Sequence, residues 1–342
     1  MGVSFSHLVS ASDITRRDAD FLVESAGELK AEMGRRRTDL NIDRWRDDFR
    51  RKRFASLFYE PSTRTRFSFE DAMRNFGAGV ITADGFQFSS LYKGESIRDN
   101  TLIVAGYEKD LIVMRHPKNG SAAQAAAALD EFRAITGRHV PFINAGDGNN
   151  EHPTQALLDI FTIQEECRKL TGLHVSLAGD LKNGRTVHSL AKLLSLYEGT
   201  TFTFASPQEL AMPDNVKAML DEKKIEYDEV RSIEEAVDAD VLYMTRVQKE
   251  RFDDEAEYLR LKDQFALDVP MVAGTDTVVM HPLPRVDELA TGIDYMKNGA
   301  YFRQAANGVA MRMALIHALM HVDQQPGEKD AEYRIRRGIR AA

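Results

Sequence analysis

Short apolar runs alternate with stretches of helical periodicity along most of the chain. The run from Phe54 to Tyr59 is apolar and aromatic, which is typical of a buried strand, and the stretch from Phe69 to Phe76 repeats apolar residues at helical spacing. Pro61 and Ser62 interrupt the pattern between them, and Ser62 is the predicted N-cap of the helix. We therefore expect the intervening turn where a strand ends and a helix begins.

The same alternation continues on both sides of this turn, and it is typical of parallel sheets that are covered by helices on both faces. We predict the α/β class, with two doubly wound parallel-sheet domains joined by two interdomain helices. Polar groups past the strand ends place the predicted active site in the cleft between the domains. The further predicted strands are Val80–Thr82, Asp110–Met114, Val140–Asn144, Leu173–Ala178, Thr201–Ala205, Val241–Met244 and Val278–His281. The further predicted helices are Asp13–Met33, Ile97–Tyr107, Ser121–Phe132, Thr154–Leu170, Arg185–Tyr197, Pro213–Lys223, Ser232–Asp238 and Gln304–His321.

A break in the pattern divides the chain in two. At 342 residues it is long enough for about two domains, and Gly146–Asn150 is rich in turn-forming residues. We predict a first domain over residues 1–150, completed by a C-terminal helix over 304–322, and a second domain over 151–303. The charged segment 323–342 is predicted to be a flexible tail.

Composition excludes several classes of protein. The formal net charge of −8 argues against nucleic acid as the main partner. No apolar run reaches the roughly eighteen residues of a membrane span, and the first ten residues lack the pattern of a secretory signal. One cysteine, Cys167, rules out an internal disulfide and favours a reducing cytoplasm.

The turn from Ser62 to Thr65 has the chemistry of an anion site. Unpaired backbone N–H groups and the positive end of the helix dipole both favour an anion at a helix start. Three hydroxyls and the Arg64 guanidinium occupy the same turn, a combination that suits phosphate. Taken alone, a capped helix with two solvated arginines explains this stretch equally well.

Other polar motifs follow predicted strands or open predicted helices. Each one alone is also compatible with a solvated strand end or a rigid turn. Because the carboxyl ends of parallel strands share one edge of a sheet, the scattered cations are expected to gather around a small anionic ligand. The motifs are Ser89–Glu95 with Lys93, Arg115–Pro117, His152–Gln155, Gly179–Thr186 with Arg185, Arg246–Gln248 and His281–Arg285.

The segment from Gly179 to Thr186 raises the question of a nucleotide ligand. It lacks the G-x-G-x-x-G spacing of a dinucleotide site, so a nucleotide is disfavoured. Arg185 in the first turn of the predicted helix is unfavourable for the helix dipole. The position of Arg185 therefore predicts that a carboxylate of the ligand binds there and offsets the unfavourable interaction with the helix dipole.

Together these motifs resemble those of the aspartate/ornithine carbamoyltransferase family, in the family's order over roughly residues 10 to 320. Ser62–Arg66 and His152–Gln155 are similar to motifs of carbamoyltransferases generally. Pro282 and the Arg246–Gln248 loop resemble the corresponding motifs of the aspartate branch of the family. Ornithine enzymes, by contrast, have a cysteine at the position of Pro282 and a Ser-Met-Gly loop.

The resemblance implies that the chain joins carbamoyl phosphate and L-aspartate in pyrimidine synthesis, with carbamoyl phosphate bound by residues 1–150 and aspartate by 151–303. Charge counting agrees, since these substrates carry about four negative charges and the motifs supply several single cations. The implied catalytic residues are Arg64, Thr65, Lys93, Arg115, His152 and Gln155. The implied carbamoyl phosphate ligands are Ser62, Thr63, Arg64, Thr65, Ser89, Lys93, Arg115, His152, Gln155, Leu283 and Pro284. The implied aspartate ligands are Lys93, Arg185, Arg246 and Gln248.

The resemblance also implies a cytoplasmic homotrimer with shared active sites, in which the loop of Ser89 and Lys93 reaches a neighbouring chain. We expect no metal ion, no organic cofactor, no nucleic acid and no membrane. A regulatory chain or another pyrimidine enzyme is a possible partner that the sequence does not decide.

Two alternatives to the reaction also stay open. One is a different amine acceptor such as ornithine, and the other is an inactive phosphate-binding scaffold.

Overall fold

The computed structural model describes residues 2–35, 49–85, 93–248, 254–261 and 265–322. Ser89 and the predicted tail over 323–342 lie outside these residues. Contacts along the chain separate two compact units, one formed by Met1–Gly148 with Val309–Ala342 and the other by Asn149–Gly308.

The first unit contains a five-stranded parallel sheet in the order β1-β5-β4-β2-β3. Its strands are β1 (His7–Leu8), β2 (Arg53–Phe58), β3 (Gly79–Asp84), β4 (Leu111–His116) and β5 (Phe142–Asp147). Its helices are α1 (Arg16–Arg35), α2 (Thr63–Asn75), α3 (Ile97–Gly106) and α4 (Ser121–Thr136).

The core of the first unit forms where apolar strand residues meet the apolar faces of helices. Leu57, Ile112 and Phe142 from three neighbouring strands lie in one buried cluster with Leu129 of α4. Burying one such side chain contributes about 1.5–3 kcal/mol. The apolar residues of β2, β4 and β5 are therefore buried in the centre of the sheet. The polar residues at the ends of these strands lie at its edge.

The second unit repeats this architecture with a parallel sheet in the order β10-β9-β6-β7-β8. Its strands are β6 (His174–Ala178), β7 (Thr201–Ala205), β8 (Tyr227–Val230), β9 (Val241–Met244) and β10 (Val278–Met280). Its helices are α5 (Pro153–Cys167), α6 (Arg185–Leu194), α7 (Asp214–Glu222), α8 (Glu255–Leu261), α9 (Val269–Val272) and the first part of α10 (Tyr301–Met320), which ends in the first unit.

Each sheet has one place where the direction of its strand order reverses. In the first unit β2 leads outward to β3, whereas β4 and β5 follow on the other side of β2, so the reversal lies between β2 and β4. In the second unit it lies between β6 and β9. Loops diverge at such a point and leave a crevice at the carboxyl ends of the strands, where α/β proteins bind ligands.

Most predicted elements are confirmed, and the differences have local reasons. Arg115 and His116 are the last residues of β4 and do not follow it, and β5 continues through Asp147, so the predicted break starts later. The predicted helix Ser232–Asp238 is wrong, since only a short 3₁₀ turn forms at Glu234–Ala236. Strand β8 was not predicted because its Tyr-Asp-Glu-Val sequence is polar, as an edge strand can be.

Among the helices described, none is both long and apolar enough to cross a membrane.

Candidate active site

The turn after β2 has the predicted strand-to-helix geometry. Helix α2 begins at Thr63 with Ser62 as its N-cap, and the Ser62 side chain makes no capping hydrogen bond. The Ser62 hydroxyl therefore does not cap a backbone N–H of the helix. Thr65, in the first turn of α2, is buried. Backbone N–H groups at a helix start with nearby hydroxyls can bind an anion.

The two arginines of this turn have different surroundings. Arg66 forms an ion pair with Asp84 and lies 3.9 Å from Oε1 of Glu70. Arg64 pairs with no carboxylate among the described residues, and burial lowers the pKa of its guanidinium from its ordinary value. A guanidinium that has no carboxylate partner in the described ranges can bind an anion. Arg64 therefore suits a ligand, whereas Arg66 ties α2 to β3.

Arg115 lies beside this turn at the reversal between β2 and β4. It is paired in register with Phe58, and its carbonyl accepts a hydrogen bond from the N–H of Tyr59 at 2.9 Å. Its Nε lies 3.1 Å from Oε2 of Glu60. Gly146, with φ of 135°, leaves room for the guanidinium, since a Cβ there would lie 2.9 Å from Nη1. The guanidinium is thus held at the carboxyl edge of the sheet.

The residues that follow Lys93 are held by side-chain hydrogen bonds. Nδ2 of Asn100 donates to Oε2 of Glu95 at 2.9 Å, and the Tyr59 hydroxyl donates to Oδ1 of Asn100 at 2.8 Å. Burial raises the pKa of Tyr59 to about 12, so its hydroxyl keeps its proton for this bond. Lys93 itself is exposed and forms no ion pair with any residue that the structure describes.

His152 and Gln155 lie at the start of α5 in the second unit. His152 is the N-cap residue, its side chain makes no capping hydrogen bond, and its N–H donates to the Ser189 hydroxyl at 3.3 Å. Ser189 and Lys192 of α6 both donate to Glu151, the former at 2.6 Å. Helix α6 therefore fixes the backbone in front of α5.

Gln155 is held by the next turn of its own helix. Its Nε2 donates to Oδ1 of Asp159 at 2.9 Å, so the amide oxygen is the Gln155 atom that stays available to a ligand. Asp159 belongs to none of the predicted site motifs, although its position four residues after Gln155 on a buried helix is a usable signal.

Two arginine-bearing loops meet at the reversal of the second sheet. Arg185 is the first residue of α6, whose first turn contains no acidic residue, and Arg246 follows β9. Val247 is buried between the half-buried Arg246 and Gln248. Nε2 of Gln248 donates to the carbonyl oxygen of Asn183 in the loop before Arg185, at 3.2 Å. The second unit thus gathers cations that can bind carboxylates.

The loop after β10 is fixed by a buried histidine. Nδ1 of His281 accepts a hydrogen bond from the N–H of Leu283 at 2.8 Å, and Nε2 of His281 donates to Oε1 of Glu288 at 2.8 Å. Burial, the largest influence, would raise the pKa of Glu288, but hydrogen bonds from His281 and the Val286 N–H outweigh it and lower that pKa. Leu283 adopts a positive φ of 56°, and Pro284 after it is exposed.

Other features of the described residues contain none of the predicted site residues. A surface groove lined by His174, Thr201 and Tyr227 lies at the amino ends of β6, β7 and β8, opposite the edge with the arginines. Within the described ranges, no three His, Cys, Asp or Glu side chains are grouped to hold a metal ion. Burial raises the pKa of Cys167 to about 11, so this thiol is not activated.

Two family models match the chain in succession. Residues 6–165 match the carbamoyl-P binding domain of aspartate/ornithine carbamoyltransferases, and residues 171–319 match the Asp/Orn binding domain. The boundary of these models follows α5, whereas the contacts place α5 in the second unit.

Known proteins are similar to the chain over most of its length. The aspartate carbamoyltransferase catalytic subunit of Methanobrevibacter smithii is 42% identical over 92% of this chain and 94% of its own. The catalytic subunit of M. jannaschii aspartate transcarbamoylase has a TM-score of 0.82 at 39% identity, covering 94% of this chain and 100% of its own. Aspartate transcarbamoylase from Trypanosoma cruzi, solved with carbamoyl phosphate and aspartate, has a TM-score of 0.79 at 34% identity, covering 91% and 96%.

Proposed function

The chain belongs to the aspartate/ornithine carbamoyltransferase family, and on this premise we propose how its residues carry out the reaction of the aspartate branch. The enzyme transfers the carbamoyl group of carbamoyl phosphate to L-aspartate, which gives N-carbamoyl-L-aspartate and phosphate in pyrimidine biosynthesis. The roles of individual residues follow from their chemistry and surroundings.

The phosphate group of carbamoyl phosphate binds to the turn at the start of α2. Backbone N–H groups of this turn, including that of Thr65, and the hydroxyls of Ser62 and Thr63 donate to phosphate oxygens. Arg64 neutralises the dianion, a role supported by its lack of a carboxylate partner among the described residues. Ser89 and Lys93 complete the phosphate ligands in this proposal.

The carbamoyl group is polarised and oriented by a second set of residues. Arg115, His152 and Thr65 donate to the carbamoyl oxygen, on which negative charge develops as the amine attacks. Gln155 Oε1 and the Leu283 carbonyl accept from the carbamoyl NH2, next to Pro284. The hydrogen bond from Gln155 Nε2 to Asp159 supports this role, because it leaves the amide oxygen available.

Aspartate is bound through its two carboxylates. Arg185 and Arg246 each offer a guanidinium that can bind a carboxylate in two-point fashion, and Gln248 and Lys93 add further donors. The position of Arg185 supports this assignment, since a cation in the first turn of α6 opposes the helix dipole unless an anion compensates for it.

The chemistry requires no nucleophilic side chain. The amine of aspartate attacks the carbamoyl carbon, a C–N bond forms, and the C–O bond to phosphate breaks. The leaving phosphate takes the bonding pair and can accept the proton that the amine releases. Orientation of the reactants and stabilisation of the oxyanion then lower the barrier, and each contributes several kcal/mol by order of magnitude.

The finer organisation is part of the same proposal. Residues 1–150 with helix 304–322 bind carbamoyl phosphate, and residues 151–303 bind aspartate. Three chains form a cytoplasmic trimer in which Ser89 and Lys93 serve a neighbouring active site. The exposed position of Lys93, which has no ion-pair partner in the described ranges, supports a role outside its own chain.

One observation supports the assignment: the segments that carry Arg64 and Arg115 adjoin the strand-order reversal of the first sheet, and those that carry Arg185 and Arg246 adjoin the reversal of the second. The test is a product assay with carbamoyl phosphate and either L-aspartate or L-ornithine as acceptor. We expect N-carbamoyl-L-aspartate and phosphate in equal amounts and no citrulline. Citrulline as the main product would assign the ornithine branch, and no product would favour a binding scaffold.

A further inference from the structure

A buried carboxylate forms the centre of a hydrogen-bond network in the second unit. Asp159 lies one turn after Gln155 on α5, and 0% of its surface is exposed. Its Oδ1 accepts hydrogen bonds from Nε2 of Gln155 at 2.9 Å and from Nε2 of Gln304 at 2.7 Å. Its Oδ2 accepts a hydrogen bond from the Tyr243 hydroxyl at 2.8 Å. These three donors therefore satisfy both oxygens of this buried carboxyl group.

Gln304 extends the network to the loop after β10. Its Oε1 accepts a hydrogen bond from the N–H of His281 at 2.9 Å, and Nδ1 of His281 accepts one from the N–H of Leu283 at 2.8 Å. Gln304 and His281 are both buried. Asp159 thus contacts Gln155 directly and is connected through Gln304 and His281 to the backbone at Leu283. Gln155 and Leu283 are the two groups assigned above to the carbamoyl NH2.

The chemistry of a carboxylate sets the direction of this network. An ionised carboxylate only accepts hydrogen bonds, so a glutamine in contact with it must present its NH2 group. Gln155 consequently turns its amide oxygen away from Asp159, and Gln304 turns its amide oxygen to the His281 N–H. A neutral amide of the same shape contains a donor as well, and it does not impose this direction.

We propose that Asp159 is a positioning residue that orients Gln155 and, through Gln304 and His281, the Leu283 segment as acceptors for the carbamoyl NH2. The inference rests on the proposed function, because it assigns a role to those two acceptors. Asp159 acts through them and does not contact the substrate.

The first test compares two ligands of the intact enzyme by calorimetry. Carbamoyl phosphate contains the NH2 group, and inorganic phosphate does not. In Asp159→Ala the amide of Gln155 can rotate, so carbamoyl phosphate should bind about tenfold or more weakly while phosphate binds as before. Equal changes for both ligands, or no change for either, would overturn the positioning role.

A control variant lies on the same two helices. The Thr162 hydroxyl accepts a hydrogen bond from Nδ2 of Asn307 at 3.0 Å, about one turn beyond the pair formed by Asp159 and Gln304. Thr162→Val breaks this buried contact without contacting Gln155. We expect it to lower the melting temperature and to leave the ratio of the two dissociation constants unchanged. A shifted ratio in this control would mean that the ratio reports general loosening.

A charge exchange tests the network without depending on the fold of Asp159→Ala. Gln155→Glu places a carboxylate against Asp159, and the repulsion should displace the side chain. Adding Asp159→Asn exchanges the two groups: the amide NH2 of residue 159 can donate to the carboxylate of residue 155. The double variant has the same net charge as the wild type. The double variant should bind carbamoyl phosphate at least about tenfold more tightly than Gln155→Glu alone. No recovery would contradict direct coupling between the two side chains.

The wild-type enzyme separates failure of this inference from failure of the proposed function. If it forms no N-carbamoyl-L-aspartate, the proposed function fails first. If it is active and the variants do not change carbamoyl phosphate binding selectively, only the role of Asp159 is rejected.

Discussion

The N–H of Thr245 donates a hydrogen bond to the carbonyl oxygen of Ala178 at 2.8 Å. This bond joins the ends of β9 and β6, so the loop that leads to Arg185 starts beside the loop of Arg246. Gly179 permits the contact, because its φ is 107° and a Cβ would overlap the Thr245 carbonyl oxygen. A tight backbone contact thus brings together the starts of the two segments that carry Arg185 and Arg246.

We expect Gly179→Ala to lower the free energy of unfolding by at least about 2 kcal/mol, since it adds both backbone strain and steric overlap. It should also raise KM for aspartate by separating the two loops. Gly274→Ala is the matched control, because Gly274 has φ of 81° and a Cβ there would meet no atom within 4 Å. Urea denaturation of both variants measures the difference, and equal losses would show that overlap with Thr245 is unimportant.

Arg64→Ala should lower kcat by about 10²–10³-fold, because a charge-assisted donor to the phosphate is lost. The melting temperature should change little, since Arg64 pairs with no carboxylate among the described residues. Steady-state kinetics and a thermal melt provide the measurements. Arg74→Ala on the same helix is the control: Arg74 lies 3.5 Å from Glu70 and is exposed, so its loss should leave kcat unchanged. A folded and fully active Arg64→Ala enzyme would refute the phosphate role.

Arg246→Gln should raise KM for aspartate by about 100-fold while carbamoyl phosphate binds normally, because one carboxylate loses a two-point cationic partner. Lys182→Gln removes a different cation from the loop before Arg185. Lys182 is exposed, and its loss should change KM by less than about threefold. If both variants raise KM equally, the effect comes from the general positive field and Arg246 has no specific contact.

Mixed trimers test whether active sites are shared. Lys93→Ala and Arg64→Ala chains should each be nearly inactive alone. After dissociation and random reassembly, roughly a quarter of the sites would contain an intact Arg64 from one chain and an intact Lys93 from its neighbour. We therefore expect about a quarter of wild-type activity in the mixture. If the activity is no higher than the average of the separate variants, Lys93 and Arg64 act in the active site of the same chain.

The pairing of Glu288 with His281 predicts a loss of stability in acid. The pKa of Glu288 is lowered in the folded state from its ordinary value of 4.5, so the unfolded chain binds the proton more tightly. This residue contributes stability above about pH 4.5, and the contribution is lost as the pH falls through the folded-state pKa. Denaturation of the wild type and Glu288→Gln across this range should give curves that converge in acid. A difference that is independent of pH would contradict this account.

Local patterns in the sequence determined the class of the protein and much of its candidate site. Apolar runs predict strands, and helical spacing predicts helices, because burial on a sheet or a helix face depends on residues that are near one another in the chain. Strand Thr201–Ala205 and strand Val241–Met244 are confirmed at both ends for this reason. The turn after β2 was equally predictable, since Pro61 and Ser62 act on the backbone next to them.

Only the tertiary structure decided which side chains have partners. Arg64 and Arg66 are alike in sequence, but Asp84 on the neighbouring strand pairs with Arg66, and that pairing depends on β2 and β3 lying side by side. Asp159 likewise acquires its role from Gln304, which joins it from a distant helix. These contacts depend on strand order and helix packing, which arise from long-range burial. Local periodicity does not encode them.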